Sequence, residues 1–406
     1  MRTLLVIGFL TASLTPLCAQ DFKLDGYVDG RLVHPSDEWS WMEGGLGKLR
    51  FDNDQAEIDP VLAEIIAEGT AQLTPELLAF ISLRYEENQR TPIDILEAYL
   101  RYRPVSITEW RWSVKAGAFF PPISLENNEI GWASYWTLTP SAINSWVGEE
   151  LKTIGGEGKV EWRGDGDKVE AVGAVYGGND PAGVLIDVRG WSLNDRPTGL
   201  FDRVRVPDAF ADDAGIPKPF KVGEFREIDD RAGWYAGLSW ERQGWGRVSV
   251  LRYDNEADPS QSRNGLFAWR TEFWSGGIQT ELLGLTLLAQ GMNGETEINP
   301  APYSRTVDFH SAYLLAGLDL DETRFATRFD VFGTGGTESF AGFADEGEYS
   351  ERGYSFTVSG TWLPEEWLRI TGEALYLDSY RPQREDAGLD PNADELQLQL
   401  GARLYY

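Results

Sequence analysis

The side chains that most often perform enzymatic chemistry are scarce in this chain. It contains two histidines, His34 and His310, and one cysteine, Cys18. A zinc site built on histidine would need both histidines together with carboxylates. Ser311 lies beside His310, as a lipase-type pair would require, but adjacent residues of a β-strand point to opposite faces. The sequence therefore predicts no catalytic residue, no metal site and no cofactor.

A different chemistry, the attraction of anions, is indicated by basic residues in alternating segments. In the segment 110–118, Arg111 and Lys115 share one face, and tryptophan, valine and alanine occupy the other. The same spacing predicts a pore-lining set on the polar faces of several strands: Arg84, Arg101, Arg111, Lys115, Arg324, Arg328, Arg369 and Arg403. An excess of arginine along a lumen would favour anions. The alternative is that these side chains pair with carboxylates such as Glu109 and Asp330 and hold a barrel wall in shape.

The elements that would position these residues are β-strands. The last eleven residues read LQLQLGARLYY, with Leu404 and Tyr406 on the apolar face. A terminal aromatic residue on that face resembles the C-terminal signal by which bacterial outer-membrane β-barrels are assembled, so we predict that Leu404 and Tyr406 form it. An ordinary last strand of a soluble sandwich is the alternative. Comparable alternation predicts sixteen to eighteen strands, including segments 22–32, 60–73, 77–87, 93–103, 183–192, 265–274, 277–291, 307–320 and 323–334.

The predicted connections fall into two classes. Short turns are expected at 164–167, 244–246 and 363–366, and long loops at 119–148, 193–230, 292–306 and 335–348. Outer-membrane barrels combine short periplasmic turns with long outer loops. The chain is also rich in Trp (16), Tyr (16) and Phe (19), residues that favour the two interfaces of a bilayer. Together these features predict an all-β fold, a transmembrane antiparallel β-barrel.

The N-terminus indicates export from the cytoplasm. Arg2 precedes an apolar run from Leu4 to Leu14, which is too short to cross a bilayer and is typical of a secretory signal peptide. Cys18 raises the alternative of a lipoprotein, but Leu17 before it is not the small residue that such signals carry. We therefore predict cleavage after Ala19. Residues 1–19 are the signal peptide, and residues 20–406 are a single outer-membrane barrel domain.

Charge and hydropathy exclude other classes of protein. The whole chain has 36 Lys and Arg and 65 Asp and Glu. Because Arg2 is lost with the signal peptide, the exported chain has a formal charge of −30. This charge excludes nucleic acid as a partner. The mean hydropathy of −0.34 argues against a helical membrane protein, whereas alternating barrel strands give such a value. Acidic runs between strands are expected to be solvated loops, which could also bridge to lipopolysaccharide through divalent cations.

One region carries a family resemblance. The segment Val114 to Asn127, VKAGAFFPPISLEN, is similar to the entry of the inward-folded third loop in the phosphate-selective porin O and P family and its broad relatives. The stretch Thr137 to Glu150 continues the resemblance. The resemblance implies a sixteen-stranded barrel, usually a homotrimer, whose third loop narrows the pore. Phe120 stands where the family commonly has lysine, so phosphate selectivity is not implied.

The segment 119–148 is therefore the predicted constriction loop, with Phe119, Phe120, Glu126, Trp132 and Trp136 as its site residues. Loops of this length usually have a function. The sequence predicts a non-enzymatic outer-membrane porin of a Gram-negative bacterium that passes small hydrophilic solutes, with a modest preference for anions. Its expected partners are outer-membrane lipid, lipopolysaccharide and the barrel-assembly machinery. The alternatives are a secreted all-β protein that binds or cleaves carbohydrate, and an outer-membrane enzyme or adhesin.

Overall fold

A computed structural model describes residues 21–52, 58–213, 217–340, 343–346 and 350–406. The predicted signal peptide lies outside these ranges. Sixteen long strands follow one another along the chain. They are β1 (Asp21–His34), β2 (Asp59–Gln72), β3 (Leu77–Tyr85), β4 (Ile93–Tyr102), β5 (Trp110–Phe119), β6 (Thr153–Arg163), β7 (Asp167–Gly177), β8 (Gly233–Arg242), β9 (Gly246–Asp254), β10 (Arg270–Leu282), β11 (Leu285–Ile298), β12 (Tyr303–Asp319), β13 (Thr323–Phe340), β14 (Glu351–Glu365), β15 (Leu368–Tyr380) and β16 (Asn392–Tyr405).

The strands close into a barrel. Each pairs antiparallel with its neighbour in the chain, and β1 pairs with both β2 and β16, from Tyr27 opposite Tyr405 to His34 opposite Leu398. A short strand, Phe343–Glu346, extends the pairing of β13 beyond the barrel wall. Closure leaves no open strand edge facing lipid, where unpaired backbone groups would be costly. The predicted fold is confirmed at sixteen strands.

Alternation along each strand separates an outer face from an inner one. In β16, Leu396, Leu398 and Leu400 are exposed, whereas Gln397 and Gln399 between them are buried. This arrangement is the reverse of that in a soluble protein, because the apolar side chains face outward and polar side chains line the interior. A lipid-facing wall requires that inversion.

The connections at one end of the barrel are short. The hairpin between β10 and β11 turns at Leu283 and Gly284, whose φ angles of 54° and 82° lie in the left-handed region. The predicted single strand 277–291 is therefore wrong, because this turn divides it between two strands. We call this end of the barrel the short-turn end.

The opposite, long-loop end differs from the prediction at two places. The predicted long loops 292–306 and 335–348 are wrong in extent, because β11 continues to Ile298, β12 begins at Tyr303 and β13 reaches Phe340. The ends of these strands are polar and rich in glycine, so their sequences resemble those of loops. The longest connections are residues 120–152, which we call the first insert, and residues 178–232, the second insert.

The two inserts contain the α-helices of the described ranges, which the alternation analysis did not predict. Short 3-10 helices lie at Trp41–Glu43, Ile130–Trp132 and Pro382–Ala387. Helix α1 (Ala142–Glu150) lies in the first insert, and α2 (Val184–Val188) and α3 (Asp208–Asp213) lie in the second. The predicted strand at 183–192 is wrong, because α2 occupies it. Within the described ranges, no helix is long and apolar enough to cross a membrane.

Candidate functional site

The first insert folds into the barrel interior and forms a short helix there. Ser141 caps α1 by accepting a hydrogen bond from the Asn144 N–H at 3.3 Å, and the Leu151 N–H closes the helix on Val147 O at 3.1 Å. All nine residues of α1 are buried, including the charged Glu149 and Glu150. A helix with no exposed face must be covered on every side. The barrel wall covers one side, and the second insert covers another.

Arg328 of β13 fixes the first insert to the wall. It is fully buried, and its Nε donates to Asp330 Oδ2 at 2.8 Å. Nη1 donates to Thr139 O at 2.8 Å and Nη2 to Pro140 O at 3.0 Å, just before α1 begins. Arg328 is also within 3.4 Å of a Glu126 carboxylate oxygen. This arginine is therefore an anchor enclosed by protein groups.

Other wall residues hold the same segment. The Glu373 carboxylate accepts the backbone N–H groups of Leu138 at 2.6 Å and Thr139 at 3.1 Å. At the start of the insert, Glu97 accepts the N–H of Phe120 at 3.0 Å. These backbone donors of the first insert, which lie outside the strand pairing, are satisfied by wall carboxylates.

Two further arginines reach the loop from the wall. Arg369 pairs with Glu129 at 2.9 Å. Arg324 donates to Tyr135 O at 2.7 Å and lies 3.3 Å from the centroid of that tyrosine ring. Both side chains therefore hold the first insert as well as facing the interior.

An apolar cluster lies on the other side of α1. The Trp146 ring contacts Phe309 of β12 with ring centroids 5.1 Å apart, Phe273 of β10 at 5.5 Å and Trp191 of the second insert at 6.0 Å. These rings fill part of the barrel with an apolar core. The sequence did not predict this core, because its members lie at inward-facing strand positions that are polar elsewhere in the barrel.

The second insert covers the remaining face of α1. Thr198 donates its N–H to Gly148 O at 2.9 Å, and Ser145 Oγ donates to Asn194 O at 2.9 Å. Lys152 Nζ donates to Leu96 O at 2.7 Å and to Thr198 O at 3.1 Å, linking β4 to both inserts. Burial lowers the pKa of this amine to about 7.

Asp195 ties the second insert to the wall and to the connection between β1 and β2. It lies 2.5 Å from Arg31 of β1 and 2.9 Å from Arg50. Burial alone would raise the pKa of the Asp195 carboxyl, but the two guanidinium groups hold it well below its usual range. For this segment, sequence reasoning predicted a strand at 183–192 and a long loop at 193–230. Loop length and buried-type residues such as Trp191 were the signals that could have placed it inside.

The inner wall at the short-turn end carries a basic patch formed by Arg101, Arg103, Arg111, Lys115 and Lys159. It lines a cavity of about 170 Å³, and a second cavity of about 370 Å³ is lined by Arg101, Arg103 and Arg111. Lys115 pairs with Glu157 at 3.2 Å, and Arg111 lies 3.9 Å from Glu161. In the part of the chain that the structure describes, Arg101 and Arg103 form no ion pair. Lys159 pairs with Glu170 at 3.1 Å, so the positive charge that the patch offers to the open space without an ion pair is that of Arg101 and Arg103.

The structure divides the predicted pore-lining residues into three groups. Arg84, Arg328 and Arg403 are buried against carboxylates, with Arg84 2.8 Å from Glu64 and Arg403 2.7 Å from Asp29. The second group, Arg324 and Arg369, binds the first insert. The third group lines the short-turn cavity, and its members are Arg101, Arg111 and Lys115.

The predicted constriction residues belong to one packed unit. Phe120 stacks on Trp132 with ring centroids 4.2 Å apart, and Lys152 lies 4.1 Å from the Phe120 ring. Phe119, Glu126 and Trp136 are buried. Phe119 is the last residue of β5, and the other four lie in the first insert between β5 and β6.

The predicted assembly residues lie where the barrel closes. Leu404 is 46% exposed on the outer face and pairs with Val28 and Leu368. Tyr406 donates its backbone N–H to Gly26 O and its hydroxyl to Ile66 O, each at 3.1 Å. The terminal residue therefore fastens the last strand to β1 and β2.

Ser311 and a cluster of three carboxylates accept or donate hydrogen bonds that hold the backbone in place. Ser311 faces inward and donates to Val331 O at 3.1 Å, whereas His310 is exposed on the opposite face of β12. Carboxylate oxygens of Asp180, Glu227 and Asp229 lie within 4.8 Å of one another. Asp180 already accepts the N–H groups of Ile228 and, at 3.3 Å, Asp229. Loop geometry thus accounts for this cluster, and we assign no metal to it.

Neither a family model nor a curated protein sequence matches this chain. Solved structures do share its fold. They include the outer membrane channel DcaP of Acinetobacter baumannii, which is 10% identical with a TM-score of 0.53, over 95% of this chain and 97% of that one. An anion-selective porin from Comamonas acidovorans is 10% identical with a TM-score of 0.52, over 95% and 99% of the two chains. The trimer form of OmpT, an outer membrane protein of Vibrio cholerae, gives the same identity, TM-score and coverage as that porin. The chain therefore has the fold of the sixteen-stranded outer-membrane porins.

Proposed function

We propose that this protein is an outer-membrane porin through which small hydrophilic solutes diffuse, with a modest preference for anions. The observation that carries the proposal is the basic patch on the inner wall, where Arg101 and Arg103 face a cavity that Glu76 also lines and form no ion pair within the described ranges. A closed barrel with an apolar exterior and a charged interior is the architecture of a diffusion channel. A secreted carbohydrate-binding protein would not need the apolar outer wall.

The net negative charge of the chain would favour cations, so its effect must be compared with that of the basic patch. Interior carboxylates such as Glu64, Asp330 and Asp29 are paired with arginines, and exposed loop carboxylates are screened over a Debye length of about 8 Å at physiological salt. Charges inside a narrow passage are screened much less. The local arginines therefore outweigh the distant loops in setting ion preference.

The same proposal covers location and assembly. Residues 1–19 direct export, the assembly machinery recognises the strand ending at Tyr406, and the barrel lies in outer-membrane lipid beside lipopolysaccharide. Similarity to the OmpT trimer supports a homotrimer. The resemblance of 114–127 to the phosphate-selective porin O and P family supports a third-loop constriction at 119–148, without phosphate selectivity. Catalysis has no part in this function.

Planar-bilayer recording on the purified protein tests the proposal. We expect discrete conductance steps, and we expect the double substitution Arg101→Gln/Arg103→Gln to reduce chloride permeability relative to potassium. Arg231→Gln is a matched control, because the Arg231 side chain near the end of the second insert is 54% exposed and pairs with Asp258. Absence of any conductance would contradict the channel. A normal conductance with equal ion ratios in the double variant and the control would contradict the role of the patch.

A further inference from the structure

The inner wall beside the basic patch carries two aromatic side chains that remain partly exposed. Phe80 of β3 and Tyr99 of β4 face inward and lie opposite each other in the strand register. Their rings stack with centroids 4.9 Å apart and planes 28° apart. Inward rings nearer the long-loop end, such as Tyr253 and Phe273, are buried in the apolar core instead. The Phe80–Tyr99 pair is therefore available to a solute in a way that those rings are not.

Tyr99 lines the same cavity of about 170 Å³ as the basic patch. Of the seven charged residues that line this cavity, five are basic and two are acidic. Arg101 and Arg103 are the two that form no ion pair within the described ranges. Arg101 lies two positions from Tyr99 on the same face of β4, about 7 Å along the strand. One small ligand can therefore reach both the aromatic ring and a free guanidinium group.

The wall is shaped around the Tyr99 ring. Gly117 of β5 lies opposite Tyr99, and a Cβ atom at that position would lie 2.9 Å from the Tyr99 Cβ. The Phe119 ring contacts Tyr99 edge to face, with centroids 6.0 Å apart and planes 83° apart. Lys115 Nζ lies 3.7 Å from the Phe119 centroid and 5.3 Å from that of Tyr99. The tyrosine ring is therefore fixed by Phe80 and Phe119, with a cation at the edge of the cluster.

These groups match an anion with a flat apolar body. A guanidinium group binds a carboxylate through two N–H donors and also stacks on aromatic rings. Aromatic rings attract one another in stacked or edge-to-face arrangements. A cavity of about 150 Å³ is large enough to hold benzene, so the space beside Tyr99 admits a single ring. Chloride or phosphate would contact the basic residues alone and gain nothing from the aromatic pair.

We propose that this part of the lumen is a binding site for aromatic carboxylates, with the carboxylate at Arg101 and Arg103 and the ring against Tyr99. Phe80 is a positioning residue that fixes the tyrosine ring. One contact between rings changes affinity about two- to tenfold, which slows a solute in the pore without trapping it. This inference rests on the proposed channel function, and it adds a preferred class of solute to a general anion path.

Block of the potassium chloride current by added anions tests the site. We expect sodium benzoate to halve the single-channel current at a concentration about two- to tenfold lower than sodium acetate, which has the same charge and no ring. Tyr99→Leu should bring the two concentrations together, and Tyr99→Phe should keep them apart. Tyr354→Leu is the matched control, because Tyr354 is 41% exposed on the outer face of β14. This control should keep the wild-type ratio.

The outcomes separate this site from the channel itself. Equal blocking concentrations of benzoate and acetate in a conducting, anion-preferring wild type would overturn the aromatic site and leave the channel intact. A benzoate advantage that Tyr99→Leu retains would overturn it as well. Loss of conductance or of anion preference would contradict the proposed function instead.

A second readout does not depend on conduction. Saturation-transfer NMR on the heat-modifiable barrel in detergent measures contact between the protein and the ring protons of benzoate. We expect Tyr99→Leu to reduce this transfer at least twofold and Tyr354→Leu to leave it at the wild-type value, which corrects for benzoate in the micelle. Equal transfer in the wild type and Tyr99→Leu would overturn the site even if channel recordings fail.

Discussion

Replacing Arg328 by methionine should detach the first insert from the wall without opening the barrel. Arg328 carries hydrogen bonds to Asp330, Thr139 and Pro140 at 2.8, 2.8 and 3.0 Å, and it is fully buried. Methionine keeps much of the side-chain volume but none of the donors. The strand pairing of β13 with β12 and β14 uses backbone groups, which the substitution does not change.

The size of the effect follows from what the substitution leaves behind. Asp330 keeps the Ala142 N–H at 3.2 Å and Ser355 Oγ at 3.1 Å but loses its cation, and Glu126 loses the same one. Removing one partner of a buried ion pair costs about 3–5 kcal/mol. Because the arginine bonds mainly to residues 139–140, most of that cost should fall on docking of the first insert.

Limited proteolysis measures the docking of the first insert, and urea unfolding of the refolded barrel in detergent measures the stability of the barrel. We expect cleavage within residues 120–152 to become at least tenfold faster in Arg328→Met, with a heat-modifiable barrel still present. Adding Asp330→Asn should recover part of the loss, because it removes one uncompensated carboxylate. Arg352→Met serves as the control, since Arg352 is exposed on β14. Cleavage of Arg328→Met at the wild-type rate would refute the anchoring role of this arginine.

Two further predictions concern assembly and the constriction. Deleting Leu404 to Tyr406 should prevent insertion into the outer membrane, because it removes the bonds from Tyr406 to Gly26 O and Ile66 O; a protease-resistant, heat-modifiable product in outer membranes would show otherwise. Shortening the first insert between Asn127 and Ser141 should raise single-channel conductance in a folded barrel, because loops tolerate deletion better than strands do. Unchanged conductance would place the narrowest point in the second insert.

The barrel wall could be predicted from the sequence because its pattern is local. Leu396, Leu398 and Leu400 alternate with Gln397 and Gln399, and a period of two is enough to assign both faces of a strand. Strand number follows once most segments are recognised. Errors arose where one apolar run contained a turn, as at Leu283 and Gly284, or where an apolar segment was helical, as in α2.

The interior was harder to predict because its contacts join residues far apart in the chain. Arg328 and Thr139 meet across 189 positions, and Lys48 and Glu395 across 347. Spacing within a strand shows that an arginine faces inward, but it does not show whether a carboxylate from a distant loop forms an ion pair with it. Arg84 and Arg101 are both basic inward-facing residues by their pattern, yet only Arg84 is enclosed by carboxylates.

The proposed channel is tested most directly by the reversal potential of the pure protein under a potassium chloride gradient at neutral pH. The basic patch predicts a reversal potential with the sign of an anion-preferring channel. In Arg111→Gln/Lys115→Gln this reversal potential should shift toward zero. Both side chains lie in the patch, with Lys115 3.2 Å from Glu157 and Arg111 3.9 Å from Glu161. A clear cation preference in the wild type, or a double variant with an unchanged potential, would contradict the proposal and assign control of permeation to the acidic loops.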